Sequence, residues 1–256
     1  MKKNYLFKSW VLFCVFSLTA MFSVNAQTIN TYGFSSTSGT YTALVGGTPL
    51  ANVGPNVDSG ASPLTNIGFT FNYGGTNFTQ FSATSNGFIQ LGTAASGFTT
   101  TPISGTNNTI AYMARDGRTS TTDGVTYTLS GVSPNQVLTI QFVQQVQWNN
   151  ATDIVNSQIK LYETSNIVQI VYGTPPTATA SYTAQVGLRG AAAANFSNRT
   201  STTTWSATTA GAANNNTMTW NVGIVPANGQ TYTWSPPPAA PPAPTEVAGT
   251  PNCVTG

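Results

Sequence analysis

From Asn66 to Gly92 the alternation of apolar and polar positions is regular enough to predict three strands. Ile67, Phe69, Phe71 and Tyr73 are separated by Gly68, Thr70 and Asn72, the period of two expected of a strand with one buried face. Gly74-Gly75 interrupts the pattern. Two adjacent glycines reach positive φ without steric cost, so they predict the two-residue turn of a hairpin that returns along Asn77 to Ala83, marked by Phe78 and Phe81. Ser85-Asn86-Gly87 predicts a second turn into Phe88, Ile89 and Leu91, and the stretch as a whole a meander.

The same reading extends along the chain. Before the meander, sparse apolar residues predict short strands near Ile29–Ser35 and Thr40–Val45. After it, Thr93–Asn108 reads as a low-complexity loop, Ile110–Ala114 as a short buried strand and Arg115–Gly124 as a polar loop. Val125–Leu129 alternates, and Gly131–Asn135 turns the chain into the longest strand, Val137–Trp148. There Leu138, Ile140, Phe142, Val146 and Trp148 share one face while Gln141, Gln145 and Gln147 point the other way, to a wet side. Ile159 and Leu161 pair with Val168, Ile170 and Tyr172 across the turn Glu163–Asn166. Strands at Ala184–Arg189, Thr217–Val222 and Gln230–Trp234 close the set, and Ala191–Ala194 is too brief to hold a helix alone. No stretch after residue 26 sustains a period near 3.6, and no fixed repeat occurs. The expectation is one all-β domain over residues 27–234, an antiparallel β-sandwich or jelly-roll-like fold.

The two ends differ from this body. Lys2, Lys3 and Lys8 precede the apolar run Trp10–Phe22, and Val24-Asn25-Ala26 offers small residues ahead of Gln27, the pattern of a signal peptide spanning residues 1–26. The run falls short of the ~20 apolar residues of a membrane span. Without those three lysines, five basic residues face six acidic ones, a balance of minus one, so no basic surface for nucleic acid remains. Ser235–Thr245 is Pro-rich and predicts a stiff linker. Of the two cysteines Cys14 lies in the signal peptide, which leaves Cys253 alone; residues 246–256 are expected to begin a further β-module, and Cys253 to find its partner there.

Phe81–Gly92, Ile110-Ala111, Gly124–Tyr127, Val137–Phe142, Gln158–Glu163 and Ile167–Gly173 together resemble the exported β-sandwich module of large Bacteroidetes surface proteins, and are similar to nidogen-like domains. The resemblance covers about Tyr41 to Leu188. It implies a sandwich fold, extracellular or cell-surface location, fibronectin type III or immunoglobulin-like repeats afterwards, and no particular activity. Where such modules often carry Pro-Phe-Trp-Asp-Asp after the Ile-Ala pair, this chain has Tyr112-Met113-Ala114-Arg115-Asp116, so only Asp116 matches.

Candidate chemistry is limited by composition. There is no histidine and only 5% of residues are charged, which removes the usual general base and the commonest transition-metal ligand. Asp58, Asp116, Asp123, Asp153 and Glu163 are expected in solvated loops or at strand ends rather than as a facing pair of the kind glycoside hydrolysis needs. Asp116 and Asp123, with nearby Thr hydroxyls, offer oxygen donors suited to Ca²⁺, against the alternative that both cap turns through their own backbone. Trp148, Asn149, Asn150, Asp153 and Trp205 could form a sugar-binding surface, although Trp148 is in phase with a buried face. The expected function is a non-enzymatic adhesive or structural module of a secreted or cell-surface protein, with a surface glycan or protein as partner. The alternative is a carbohydrate-binding module attached to a catalytic domain.

Overall fold

In the computed structural model the described residues are 27–173 and 178–238. The expected signal peptide, the Pro-rich stretch beyond Pro238 and residues 246–256 lie outside them. In chain order the strands of the first half are β1 (Gly33–Ser38), β2 (Thr48–Pro49), β3 (Thr65–Tyr73), β4 (Thr76–Ala83), β5 (Phe88–Leu91), β6 (Thr109–Ala114), β7 (Arg118–Thr119) and β8 (Thr126–Ser130). Those of the second are β9 (Val137–Gln147), β10 (Asn150–Tyr162), β11 (Val168–Tyr172), β12 (Tyr182–Arg189), β13 (Phe196–Thr200), β14 (Thr209–Ala210), β15 (Met218–Trp220) and β16 (Gln230–Ser235). Among the described residues the helical content is one 3₁₀ turn at Ile29–Thr31 and one turn at Pro102–Gly105.

The strands form two antiparallel sheets. One runs β1-β16-β11-β10-β9-β8-β2, with β7 sharing the β8 edge of β9. The other runs β14-β13-β12-β6-β5-β4-β3, with β15 sharing the β13 edge of β12. Their inner faces meet in one core. Tyr112 of β6 packs on Phe142 of β9 at 4.6 Å between ring centroids, Phe81 of β4 meets Tyr127 of β8 edge-on, and the Tyr172 hydroxyl of β11 donates to the Tyr112 carbonyl at 2.6 Å. The fold is a β-sandwich, as the alternation predicts.

The meander forms with the expected turns. Gly74 and Gly75 have φ of 59° and 82° between β3 and β4, the double positive φ of a hairpin turn that follows the strand twist. Gly87, at φ 85°, lies against the Met113 carbonyl and has no room for a side chain.

The structure corrects four expectations. Thr40–Val45 is not a strand: the Thr42 carbonyl accepts from Gln158 Nε2 at 2.7 Å, and the Leu44 amide and Tyr41 hydroxyl donate to Gln141 Oε1 at 2.7 and 3.1 Å. Amide side chains on the outer face of β9 and β10 thus replace a neighbouring strand. The polar face of β9 is not wet either, since Gln141 and Gln145 are buried. Thr93–Asn108 is more than a loop, because its turn at Pro102–Gly105 lays Ile103 against Phe88 and Ala111 on the outer face of the second sheet. The strand predicted from Val137 ends at Gln147, where the chain reverses into the 13-residue β10.

Candidate functional site

The reversal between β9 and β10 decides the fate of the predicted sugar-binding residues. Gln147 pairs with Asn150, so Trp148 and Asn149 form the tip of a hairpin. Trp148 leaves the strand phase that would have buried it and is 43% exposed. Its amide donates to the Asp116 carbonyl at 3.2 Å, which clamps the tip to the segment that follows β6. Asn149 is exposed. The side chain of Asn150 is committed to local structure: Nδ2 donates to the Tyr182 hydroxyl and to Thr179 Oγ1, both at 3.0 Å, and Oδ1 accepts from the Thr152 amide and hydroxyl.

Asp153 and Trp205 do not join that surface. Asp153 is fully buried rather than a solvated carboxylate. It accepts from the Thr179 amide at 2.8 Å, the Thr179 hydroxyl at 2.6 Å, the Ala180 amide and the Trp220 indole at 3.4 Å. A buried carboxylate is tolerable because its oxygens are met by fixed donors, and it binds β10 of the first sheet to the segment leading into β12 of the second. Trp205 is 1% exposed. Its indole donates to the Thr219 carbonyl at 2.9 Å and its ring meets Tyr172 and Trp220 edge-on at 5.3 and 6.5 Å. Its neighbours in sequence are threonines, but β15 brings Trp220 beneath it and makes the loop a lid on the core.

The two candidate calcium ligands part company as well. Asp123 closes a turn, with its amide donating to Ser120 Oγ at 2.8 Å and its carboxylate accepting from Thr122 at 2.6 Å. Asp116 lies on the far side of β7, exposed. Among the described residues no three His, Cys, Asp or Glu side chains gather as metal ligands.

Around Asp116, whose carbonyl holds the Trp148 amide, the structure gathers residues the sequence reading did not single out. A cleft of about 190 Å³ is lined by Thr100, Thr101, Arg115, Asp116, Thr183 and Thr217, among others. The Arg115 guanidinium lies 4.1 Å over the ring of Tyr182, donates to Gln147 Oε1 and reaches the Thr183 carbonyl at 3.5 Å, while its buried Nε has no partner. Burial lowers the pKa of Arg115, and Tyr182 and Asp116 oppose that shift. Asp116 is the one carboxylate of the lining, so the cleft holds a cation and an anion side by side among hydroxyls. Such a surface can bind a polar ligand by hydrogen bonds, but it contains no paired acid and base. The sequence signal that could have located it is Arg115-Asp116 directly after the fully buried β6, where the chain departs from the pattern of the modules it resembles.

No helix among the described residues is long and apolar enough to cross a membrane. No curated protein and no solved structure matches the chain. The profile of the NIDO-related family matches residues 31–236, which is the whole sandwich from just before β1 to just after β16. The chain belongs to the NIDO-related family.

Proposed function

We propose that the chain is a non-enzymatic, adhesive or structural module of an exported protein, held at a cell surface or secreted, and tethered through its Pro-rich segment. The observation that carries this reading is the use to which the carboxylates are put. Asp153 fixes one sheet to the other, and Asp123 closes a turn. Glu163 accepts from the Ser133 hydroxyl at 2.8 Å and the Gln136 amide at 2.9 Å, which joins two adjacent turns. Asp116 is then alone in the cleft, without the second carboxylate or the histidine that hydrolytic chemistry would ask for. Membership of the NIDO-related family and the N-terminal export pattern support the extracellular setting. Expression with its own N-terminal segment in a Gram-negative host, followed by mass spectrometry of the exported protein, tests it: the expected N-terminus is Gln27. A folded protein retaining Met1 inside the cell would overturn the export half, and turnover of a polysaccharide, ester or peptide by the pure chain would overturn the other.

A second reading, a carbohydrate-binding module serving a catalytic partner, is favoured by one observation. Of the tryptophans among the described residues, Trp148 alone is exposed, and Asn149 lies beside it.

A further inference from the structure

The two edges of the first sheet are joined directly by the chain. β1 lies at one edge and β2 at the other, with β16, β11, β10, β9 and β8 between them, and residues 39–47 make the whole connection. The six spacings between these strands amount to about 29 Å, and the ten Cα steps from Ser38 to Thr48 reach at most ~33–36 Å. The connection therefore runs nearly extended across the outer face. It follows one rank of residues, since strand pairing aligns Thr231, Val171, Gln158, Gln141 and Thr126 across the five inner strands. Gly39 lies on Thr231, where an added Cβ would come within 2.8 Å of Oγ1, and its amide donates to the Gly229 carbonyl at 2.6 Å. The Tyr41 ring lies against Gly173, just past β11, and Gly47 lies on Thr126. Between them the Thr42 carbonyl accepts from Gln158, and the Leu44 amide and Tyr41 hydroxyl donate to Gln141. Gln158 Nε2 also donates to Gln141 Oε1 at 3.1 Å, so the two pins are bonded to each other.

The strap starts from the edge by which the chain leaves the sandwich. β16 ends at Ser235, opposite Gly33 of β1, and continues into the Pro-rich segment. It pairs with β1 along its whole length but with β11 only over residues 231–234. Among the described residues β1 pairs with β16 alone, and its sequence, GFSSTS, has neither the charge nor the proline that commonly guards an edge strand. A pull on the C-terminal continuation acts on β16 and, through the ladder, on β1. The strap hands that load on to β10, β9 and β8, beyond the short β16–β11 ladder. We infer that residues 39–47 are a tie across the first sheet, which lets the β1–β16 edge open only when the strap leaves Gln158 and Gln141. This rests on the reading of the chain as a tethered structural module, and it says how the tethered edge is held.

Native-state hydrogen exchange on the purified full chain tests it. In the wild type the paired amides of β1 and β16 are expected to exchange no more than about tenfold faster than those of β9 and β10. Gln141→Leu keeps the bulk of the side chain and removes the oxygen that accepts from Tyr41, Leu44 and Gln158. It is expected to speed exchange in β1 and β16 by about tenfold, or roughly 1.4 kcal/mol of opening free energy, although β10 and β11 stand between Gln141 and that edge. Inserting Gly-Ser-Gly-Ser between Gly39 and Thr40 slackens the strap while every side chain stays in place, and should give the same gain. The same insertion between Gly131 and Val132, in the turn from β8 to β9, should leave β1 and β16 as they were. A wild-type edge that exchanges faster than the stated bound, an effect of Gln141→Leu confined to β9 and β10, or a slackened strap with an unchanged edge would each overturn the inference. If Gln141→Leu does not fold, the wild type and the insertion decide. Export is read separately from the N-terminus: an exported chain whose edge opens by itself loses only the tie, and a tied chain that keeps Met1 loses only the export reading.

Discussion

The meander β3–β6 and the corner around the β9–β10 tip are made from similar residues and put to opposite uses. In the meander each aromatic on the inward phase is buried: Phe71 and Phe81 are fully covered and Tyr73 nearly so. At the corner Trp148 continues an inward phase and ends outside, because the chain turns back before the register can carry it in. Alternation fixes which face a residue takes only while a neighbouring strand continues to pair with it. Trp205 shows the converse. It has no phase at all, being set in a run of threonines, and yet it is among the most deeply buried side chains because other elements close over it.

The contrast between the two tryptophans can be broken by substitution. Trp205→Ala removes a fully packed indole and its hydrogen bond, and should cost ~3–5 kcal/mol, read as a fall of roughly 10 °C in Tm. A loss below about 1 kcal/mol would mean that the Thr-rich loop does not seal the core. Asp153→Ala is next. It strands the Thr179 and Ala180 amides and the Trp220 indole in the interior, at a cost of ~3 kcal/mol in urea denaturation. A neutral outcome would return Asp153 to the ranks of solvated turn carboxylates.

Alkaline pH separates interior from surface in a different way. Burial raises the pKa values of Tyr73, Tyr112 and Tyr172 well above 10 and pushes Tyr41 up to about 12. Unfolded tyrosines ionise near 10, so this contribution is complete below pH 10 and is lost as pH rises from there toward the folded values, by about 1.4 kcal/mol per pH unit for each buried tyrosine. With no histidine in the chain, Tm should be level from about pH 6 to 9 and fall steeply beyond 10; a midpoint near neutrality would contradict it. Within the meander, Gly75→Val places a β-branched residue at φ 82° and should cost ~1–2 kcal/mol, visible as a lower urea midpoint with unchanged slope. Smallest of all, Trp148→Ala at the hairpin tip should change stability by under ~0.5 kcal/mol. A larger loss would make Trp148 a packing residue rather than one available to a ligand.

Fold class could be read from the sequence because strand alternation is a local property. Ile67 to Tyr73, Leu138 to Phe142 and Ile159 to Tyr172 each declare a buried face to within a residue, and Gly74-Gly75 and Ser85-Asn86-Gly87 declare where the chain must turn. The short strands β7, β13 and β14 escaped because they carry little apolar pattern. They exist only because longer strands offer them an edge. The corner cleft escaped for a related reason. Thr100, Arg115, Thr183 and Thr217 are far apart in sequence, and none has a pattern that points to the others. The sequence determined that the chain would be an all-β sandwich and where its main turns fall, since covalent geometry and side-chain alternation act over a few residues. Which tryptophan is covered, which carboxylate is buried and which polar residues share a cleft were decided by tertiary structure, because these depend on which loops the paired sheets bring together.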